Sequence, residues 1–158
     1  MTAITPLDES LQTLRWRSLF TIELDIIAVQ KTGAAEVVGV VGGGLFEGPR
    51  VSGRVLAGGS DWQRLMPDGS VRLDCRLVLE TTAGNLIAMT YQGVRAGSPE
   101  VLARLAKGAD VGANEYYLRV NPLFTTQSPE HDWLNRVVAV GTGQRLANGP
   151  TYNIFEIL

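Results

Sequence analysis

Residues 70–82 read SVRLDCRLVLETT, and apolar and polar side chains alternate along this segment. A period of two is typical of a β-strand with one buried and one solvated face. The segment is bounded by two turn motifs, PDG at 67–69 and AGN at 83–85. Glycine and asparagine tolerate the positive φ angles that hairpin turns require. The pattern therefore predicts a strand of an antiparallel sheet that pairs with residues 86–94.

The same alternation recurs upstream, where large apolar side chains fall on even positions and polar ones on odd positions. The even set comprises Leu14, Trp16, Phe20, Ile22, Leu24 and Ile26. Further segments are rich in β-branched and aromatic residues, which favour strands. They cover residues 37–41, 49–56, 115–125, 133–141 and 151–157. Strands are therefore expected along most of the chain.

One helix is predicted over residues 99–107. Ser98 is a typical N-cap, Pro99 suits the first helical position, and Gly108 is a typical stop signal. Many short strands and one short helix predict an all-β fold, a closed or nearly closed antiparallel β-barrel of about 8–10 strands. We expect a single domain over residues 1–158, with residues 1–13 as a candidate flexible arm.

Composition excludes several classes of protein. Fourteen basic and sixteen acidic residues give a net charge of −2, and the basic residues form no cluster, which argues against a nucleic-acid partner. The chain has no signal-peptide pattern at its start and no apolar run long enough to span a membrane. We therefore expect a cytoplasmic protein with no membrane partner.

Two motifs suggest a cofactor or a metal on first inspection. The glycine-rich segment GGGLFEGP at 42–49 resembles a dinucleotide-binding loop, but the extended segment 49–56 follows it where such a loop requires a helix. It is interpreted as a glycine-kinked strand at a bend of the barrel. One histidine, His131, and one cysteine, Cys75, cannot supply an ordinary zinc site, and His131 is interpreted as a surface loop residue. We expect no cofactor and no metal.

Glu47, Asp61 and Arg76 are the candidate catalytic residues. Two carboxyl groups near a guanidinium can have their pKa values tuned apart, so that one serves as base and the other as acid. Glu47 ends one predicted strand, Asp61 follows the end of the next, and Arg76 lies on the strand after that. The three would converge on one concave site if their side chains share a face of the sheet. Asp74 shares the face of Arg76 and is the alternative to Asp61. A structural salt bridge and a solvated outer face remain open as alternatives.

Six short motifs occur in a characteristic order: GGLFEGP at 43–49, GGSDW at 58–62, DG at 68–69, LDCR at 73–76, YYLR at 116–119 and WLN at 133–135. In these motifs and their order, the chain resembles domain-of-unknown-function family 3237, also called uncharacterised protein family 0311. The resemblance runs from about Trp16 to the C-terminus and implies a small β-barrel without an established reaction. The resemblance also implies a candidate site made of the motif residues Glu47, Asp61, Trp62, Asp74, Arg76, Tyr117, Arg119 and Trp133.

Two functions remain open. One is a cofactor-independent enzyme that performs acid/base chemistry, such as cyclisation, addition or isomerisation, on a small, partly apolar metabolite. The other is a barrel that binds such a molecule without transforming it. The candidate ligand-binding residues are Trp62, Asp74, Tyr91, Tyr117, Arg119 and Trp133. A homodimer or larger homo-oligomer is expected, because one short helix cannot cover the apolar outer faces of several strands.

Overall fold

The computed structural model describes residues 3–158, which form nine strands, one α-helix and two short 3-10 helices. The strands are β1 (Trp16–Lys31), β2 (Glu36–Glu47), β3 (Ser52–Val55), β4 (Gly59–Leu65), β5 (Val71–Thr81), β6 (Leu86–Gly97), β7 (Tyr116–Thr125), β8 (Ala139–Arg145) and β9 (Pro150–Ile157). Helix α1 (Pro99–Ala106) follows β6, and the 3-10 helices are Glu9–Leu11 and Asp132–Arg136.

The strands form one antiparallel sheet that closes on itself, because β1 pairs with both β2 and β9. The short strands β3 and β4 share one position between β2 and β5. The barrel therefore has eight strand positions, which confirms the predicted fold. The predicted β5–β6 pairing is present, with Val71–Glu80 paired to Leu86–Arg95.

The predicted bend in β2 is present and depends on glycine. The first half of β2 pairs with β4 and its last four residues pair with β3, so the strand changes partner near Gly43 and Gly44. A Cβ atom at Gly44 would lie 2.0 Å from the Glu23 carbonyl oxygen of the neighbouring strand. The backbones approach too closely there for any side chain, so the segment is a kinked strand.

The two ends of the barrel interior differ in polarity. At the end where β1 begins and β2 ends, Phe20 packs edge-on against Phe46 and Phe124, with ring centroids 5.4 and 5.8 Å apart. Leu134 of the second 3-10 helix is also buried. We call this the apolar end. The opposite end, where α1 connects β6 to β7, contains polar side chains and is called the cavity end.

Two sequence-based interpretations of the segment 128–141 are wrong. The predicted strand over residues 133–141 is a 3-10 helix followed by β8, which begins only at Ala139. The Asn135 side chain accepts a hydrogen bond from the Thr126 N–H and donates one to its carbonyl oxygen, which fixes the turn. His131 is 5% exposed, so it is not a surface residue. Its Nδ1 lies 3.3 Å from the Ser128 Oγ.

The first strand departs from strict alternation. A register shift between Ser18 and Phe20 places Leu19 and Phe20 side by side in the interior. The shift reverses the parity of the residues before it, so Trp16, predicted to face the core, is exposed. Leu14, predicted to do the same, lies before β1 begins and is also exposed. Residues 3–13 of the predicted arm are exposed along their length, whereas residues 1 and 2 lie outside the described structure. Within residues 3–158, no helix is long and apolar enough to cross a membrane.

Candidate active site

The barrel wall separates the three candidate catalytic residues. Residues directly opposite each other in an antiparallel pair point to the same face. Asp61 of β4 lies opposite the buried Cys75, whereas Ser60 lies opposite Arg76. Asp61 is therefore inside the barrel and only 3% exposed, and Arg76 is outside. Glu47, the last residue of β2, is also exposed.

The predicted convergence of Glu47, Asp61 and Arg76 is therefore wrong. Sequence reasoning placed Asp61 at the end of a strand, but it is the third residue of β4. That strand was not predicted, so the parity of its side chains could not be derived. Asp74 does lie on the face of Arg76, as predicted, and for that reason it cannot replace Asp61 in the interior.

Four of the candidate ligand-binding residues lie together on the outside of the barrel. Trp62, Asp74, Tyr117 and Arg119 line an open groove of about 940 Å³ across strands β4 to β8. The Arg119 guanidinium carbon lies 4.7 Å from the centre of the Tyr117 ring. Trp133 is not part of this group, because it lies at the apolar end with the Arg50 guanidinium 3.8 Å from its ring centre.

The remaining candidate, Tyr91, shares the interior with Asp61. It lies opposite Cys75 on β6, and its ring packs edge-on against Tyr152 with the centroids 5.5 Å apart. Tyr152 and Asp61 both line a cavity of about 390 Å³ at the cavity end. The polar lining also includes Gln63, Arg95 and Arg145, which the sequence analysis did not select.

A short chain of hydrogen bonds links the polar groups of the cavity. The Gln63 side-chain amide donates to Asp61 Oδ2 at 2.9 Å, and Arg95 Nη2 donates to Gln63 Oε1 at 3.3 Å. Three buried atoms have no hydrogen-bond partner among residues 3–158: Asp61 Oδ1, Tyr91 OH and Arg95 Nε. Buried polar atoms in folded proteins are nearly always paired, so this cluster is unusual for a purely structural core.

Burial controls the protonation of these groups. It raises the pKa of the Asp61 carboxyl, and the hydrogen bond from Gln63 and the charges of Arg95 and Arg145 offset only part of that rise. Burial also raises the pKa of the Tyr91 and Tyr152 hydroxyls and of the Cys75 thiol, which keeps all three neutral. The protonated form of Asp61 is thus favoured relative to an aspartate in water.

Strands β7 and β8 and helix α1 contribute to positioning the residues that line the cavity. The Arg145 N–H donates to the Tyr116 hydroxyl at 2.7 Å, which fixes the end of β8 against β7. The Ser98 hydroxyl accepts from the Val101 N–H and caps α1, and Leu105 and Ala106 of this helix join the cavity lining. Helix α1 therefore borders the cavity, and its cap is the one that the sequence predicted.

A sequence signal for Arg95 did exist. In the β5–β6 hairpin the buried side chains of β6 are Ile87, Met89 and Tyr91, all at odd positions, and Arg95 continues that series. A charged residue on the buried parity of a strand is a candidate for a functional interior. Arg145 and Gln63 had no such signal, because β4 and the end of β8 lack alternation. Across the described part of the chain, no group of three or more His, Cys, Asp or Glu side chains could hold a metal ion.

Comparison with known proteins identifies the family. The family model described as "Protein of unknown function (DUF3237)" matches residues 14–157. The chain belongs to this family. The resemblance inferred from the six motifs is thereby confirmed. A UPF0311 protein of Rhodopseudomonas palustris is 30% identical over 151 residues, which cover 92% of this chain and 98% of that protein.

Solved structures show the same fold. The crystal structure of a conserved protein of unknown function from R. palustris has 30% identity and a TM-score of 0.89, covering 98% of this chain and all of that one. A beta-barrel like protein from Acinetobacter baumannii has 34% identity and a TM-score of 0.80, covering 96% of this chain and all of that one. The crystal structure of an enzyme from Penicillium herquei shares the fold. It has 24% identity and a TM-score of 0.69, covering 96% of this chain and all of that one.

Proposed function

We propose that the protein is a cofactor-independent enzyme that moves a proton within a small, partly apolar molecule bound in the cavity. The observation that carries the proposal is Asp61, a buried carboxyl whose pKa is raised and whose Oδ1 has no partner among the described residues. A catalytic acid needs a pKa brought toward the working pH, and burial is the usual means.

The lining of the cavity suits this chemistry. Ile26, Val37, Leu73, Leu105 and Leu118 supply apolar surface around Asp61. Apolar walls exclude water and strengthen electrostatic interactions inside the site. Arg95 and Arg145 supply positive charge that can stabilise negative charge on a substrate oxygen as the proton moves.

The reaction class follows from what the site contains. Protonated Asp61 donates its proton to one substrate atom, and the resulting carboxylate accepts a proton from another. The substrate is then isomerised with no net gain or loss of atoms, so no co-reactant is consumed.

The alternative is a barrel that binds the same kind of molecule without transforming it. It is favoured by Arg95 Nε, a buried donor of the cavity lining that has no partner in the described structure. A ligand with acceptor oxygens would satisfy donors of this kind, and that requires no proton transfer.

One experiment separates enzyme from binder. Native mass spectrometry of freshly purified protein identifies a co-purified molecule, which is then incubated with fresh enzyme and monitored by chromatography for an isomer of equal mass. Asp61→Asn keeps the size and the hydrogen-bonding capacity of the side chain but removes the transferable proton. We expect this variant to bind the molecule and to convert it at least about 100-fold more slowly.

The matched control is Asp25→Asn, at an exposed position of β1 outside the cavity, which should convert the molecule at the wild-type rate. Conversion by Asp61→Asn at the wild-type rate would contradict the proposed mechanism. Tight binding without conversion by the wild-type protein would support the binding barrel instead.

A further inference from the structure

Two guanidinium groups enter the cavity without an anionic partner. Arg95 and Arg145 both belong to its lining, and neither forms an ion pair with any acidic side chain of residues 3–158. Other arginines of the barrel, such as Arg17 and Arg54, are paired with glutamates. Charges removed from water are normally paired, and the Arg95 Nε is buried, so the cavity favours a negative charge beside Arg95.

Asp61 does not supply enough negative charge to balance the two guanidinium groups. It is the only acidic residue in the cavity lining, and Gln63 separates it from Arg95 by accepting from the guanidinium and donating to the carboxyl. Two guanidinium groups against one carboxyl leave at least one positive charge, even when Asp61 is ionised. When Asp61 holds its proton, two positive charges remain.

The rest of the lining describes the body of the ligand. Ile26, Val37, Leu105 and Leu118 offer only hydrocarbon contacts. The Arg95 Nε–H, buried and without a partner in the described chain, is directional and can add a charge-assisted hydrogen bond to an oxygen. A volume of about 390 Å³ has room for a molecule of one or two rings.

We propose that the ligand of this cavity is a monoanion that places one charged oxygen group, a carboxylate, phenolate or enolate, against Arg95 and Arg145 and an apolar body against the aliphatic lining. This inference rests on the proposed function for the location of the site. It adds the charge and the polarity of the molecule that the site accepts.

Three probes of the same shape and different charge test the inference. They are 2-naphthoate, 2-naphthamide and 2-naphthylmethylammonium, titrated into the full-length protein by isothermal calorimetry at neutral pH. We expect the naphthoate to bind at least about tenfold more tightly than the neutral amide, and the ammonium to bind most weakly.

Variants assign the preference to the two arginines. Arg95→Gln should reduce the preference for naphthoate over naphthamide to less than about twofold, and Arg145→Gln should weaken it in the same direction. Arg145 is partly exposed, so its variant carries the test if Arg95→Gln folds poorly. Arg136→Gln, at the opposite end of the barrel and paired only with Asp132, is the control and should keep the full preference.

Two outcomes overturn the inference and are distinguishable from each other. Equal binding of the three probes by the wild-type protein contradicts the anionic ligand but leaves the cavity as a binding site. Binding of none of the probes, together with no co-purified molecule, contradicts both the inference and the proposed function. Retention of the naphthoate preference by both arginine variants also overturns the assignment to Arg95 and Arg145.

Discussion

Asp61 links the chemistry of the cavity to the stability of the fold. Its pKa is raised in the folded state, mainly by burial, above the ordinary value of 3.8. At a pH between the ordinary pKa and the raised pKa of the folded state, the folded protein holds a proton that the unfolded chain has lost. The free energy of unfolding therefore falls as the pH rises through this range. The contribution of Asp61 is therefore most favourable in acid and is lost as the pH rises through its folded pKa.

Asp61→Asn removes this titration. We expect the melting temperature of the wild type minus that of Asp61→Asn to decrease as the pH rises above the ordinary value of 3.8 and to level off beyond the folded pKa, because only the wild type carries the buried ionisable group. Differential scanning fluorimetry of both proteins over this range measures the difference. An increase of the difference with pH would contradict the raised pKa.

Glu156 should change the stability with pH in the direction opposite to Asp61, and it therefore serves as a comparison within the same protein. Its pKa is lowered, chiefly by the hydrogen bond from Arg17, although burial acts in the opposite direction. Its contribution to stability is therefore present above the ordinary value of 4.5 and is lost as the pH falls through the folded pKa. The melting temperature of the wild type minus that of Glu156→Gln should therefore rise with pH over the acid range. This trend is the reverse of the one expected for Asp61→Asn.

Strand β2 depends on a glycine where it approaches β1. The 2.0 Å approach of a Cβ at Gly44 to the Glu23 carbonyl oxygen means that Gly44→Ala must push β1 and β2 apart. We expect a loss of about 3 kcal/mol in the free energy of unfolding, measured by urea denaturation. Gly33→Ala, in the β1–β2 turn where the nearest atom is 3.9 Å away, should change it by less than about 0.5 kcal/mol. Equal effects would contradict the bend.

Elements with a local physical signal could be predicted from the sequence. The β5–β6 hairpin follows from strict alternation and from turn glycines, and Gly69 and Gly84 do adopt positive φ angles. Helix α1 follows from Ser98 and Pro99. By contrast, the segment 132–136 becomes a 3-10 helix because of contacts made by Asn135 with Thr126, nine residues away. Contacts of that kind leave no periodic pattern in the sequence.

The candidate site was only partly predictable for the same reason. Sequence and resemblance selected Asp61 and Tyr91, both of which lie in the interior, and also Glu47 and Arg76, which do not. Which face a residue occupies depends on exact strand boundaries, and an error of one residue exchanges the two faces. Of the motif residues, Asp61 lines the cavity, whereas Trp62, Asp74, Tyr117 and Arg119 line the outer groove. Glu47, Arg76 and Trp133 line neither of them.

At the scale of the whole molecule, the outer wall exposes many large apolar side chains. They include Ile27 on β1, Leu45 on β2, Leu123 on β7 and Val140 on β8. Exposed apolar surface of this kind favours association, and we propose that the protein forms a homodimer or a larger homo-oligomer. Multi-angle light scattering at micromolar concentration should give at least twice the chain mass of 17.1 kDa. A mass near 17.1 kDa would contradict this proposal.

The proposed function requires that the barrel keeps the Asp61 side chain protonated in its interior above the pH at which an aspartate in water ionises. Carbon-13 NMR of the side-chain carboxyl groups tests it on the wild-type protein without a substrate, and the spectrum of Asp61→Asn assigns the resonance. We expect the Asp61 carboxyl to titrate with a midpoint clearly above the ordinary 3.8. A midpoint at or below 3.8 would show an ordinary ionised carboxylate and would contradict the proposed role of Asp61 as the acid.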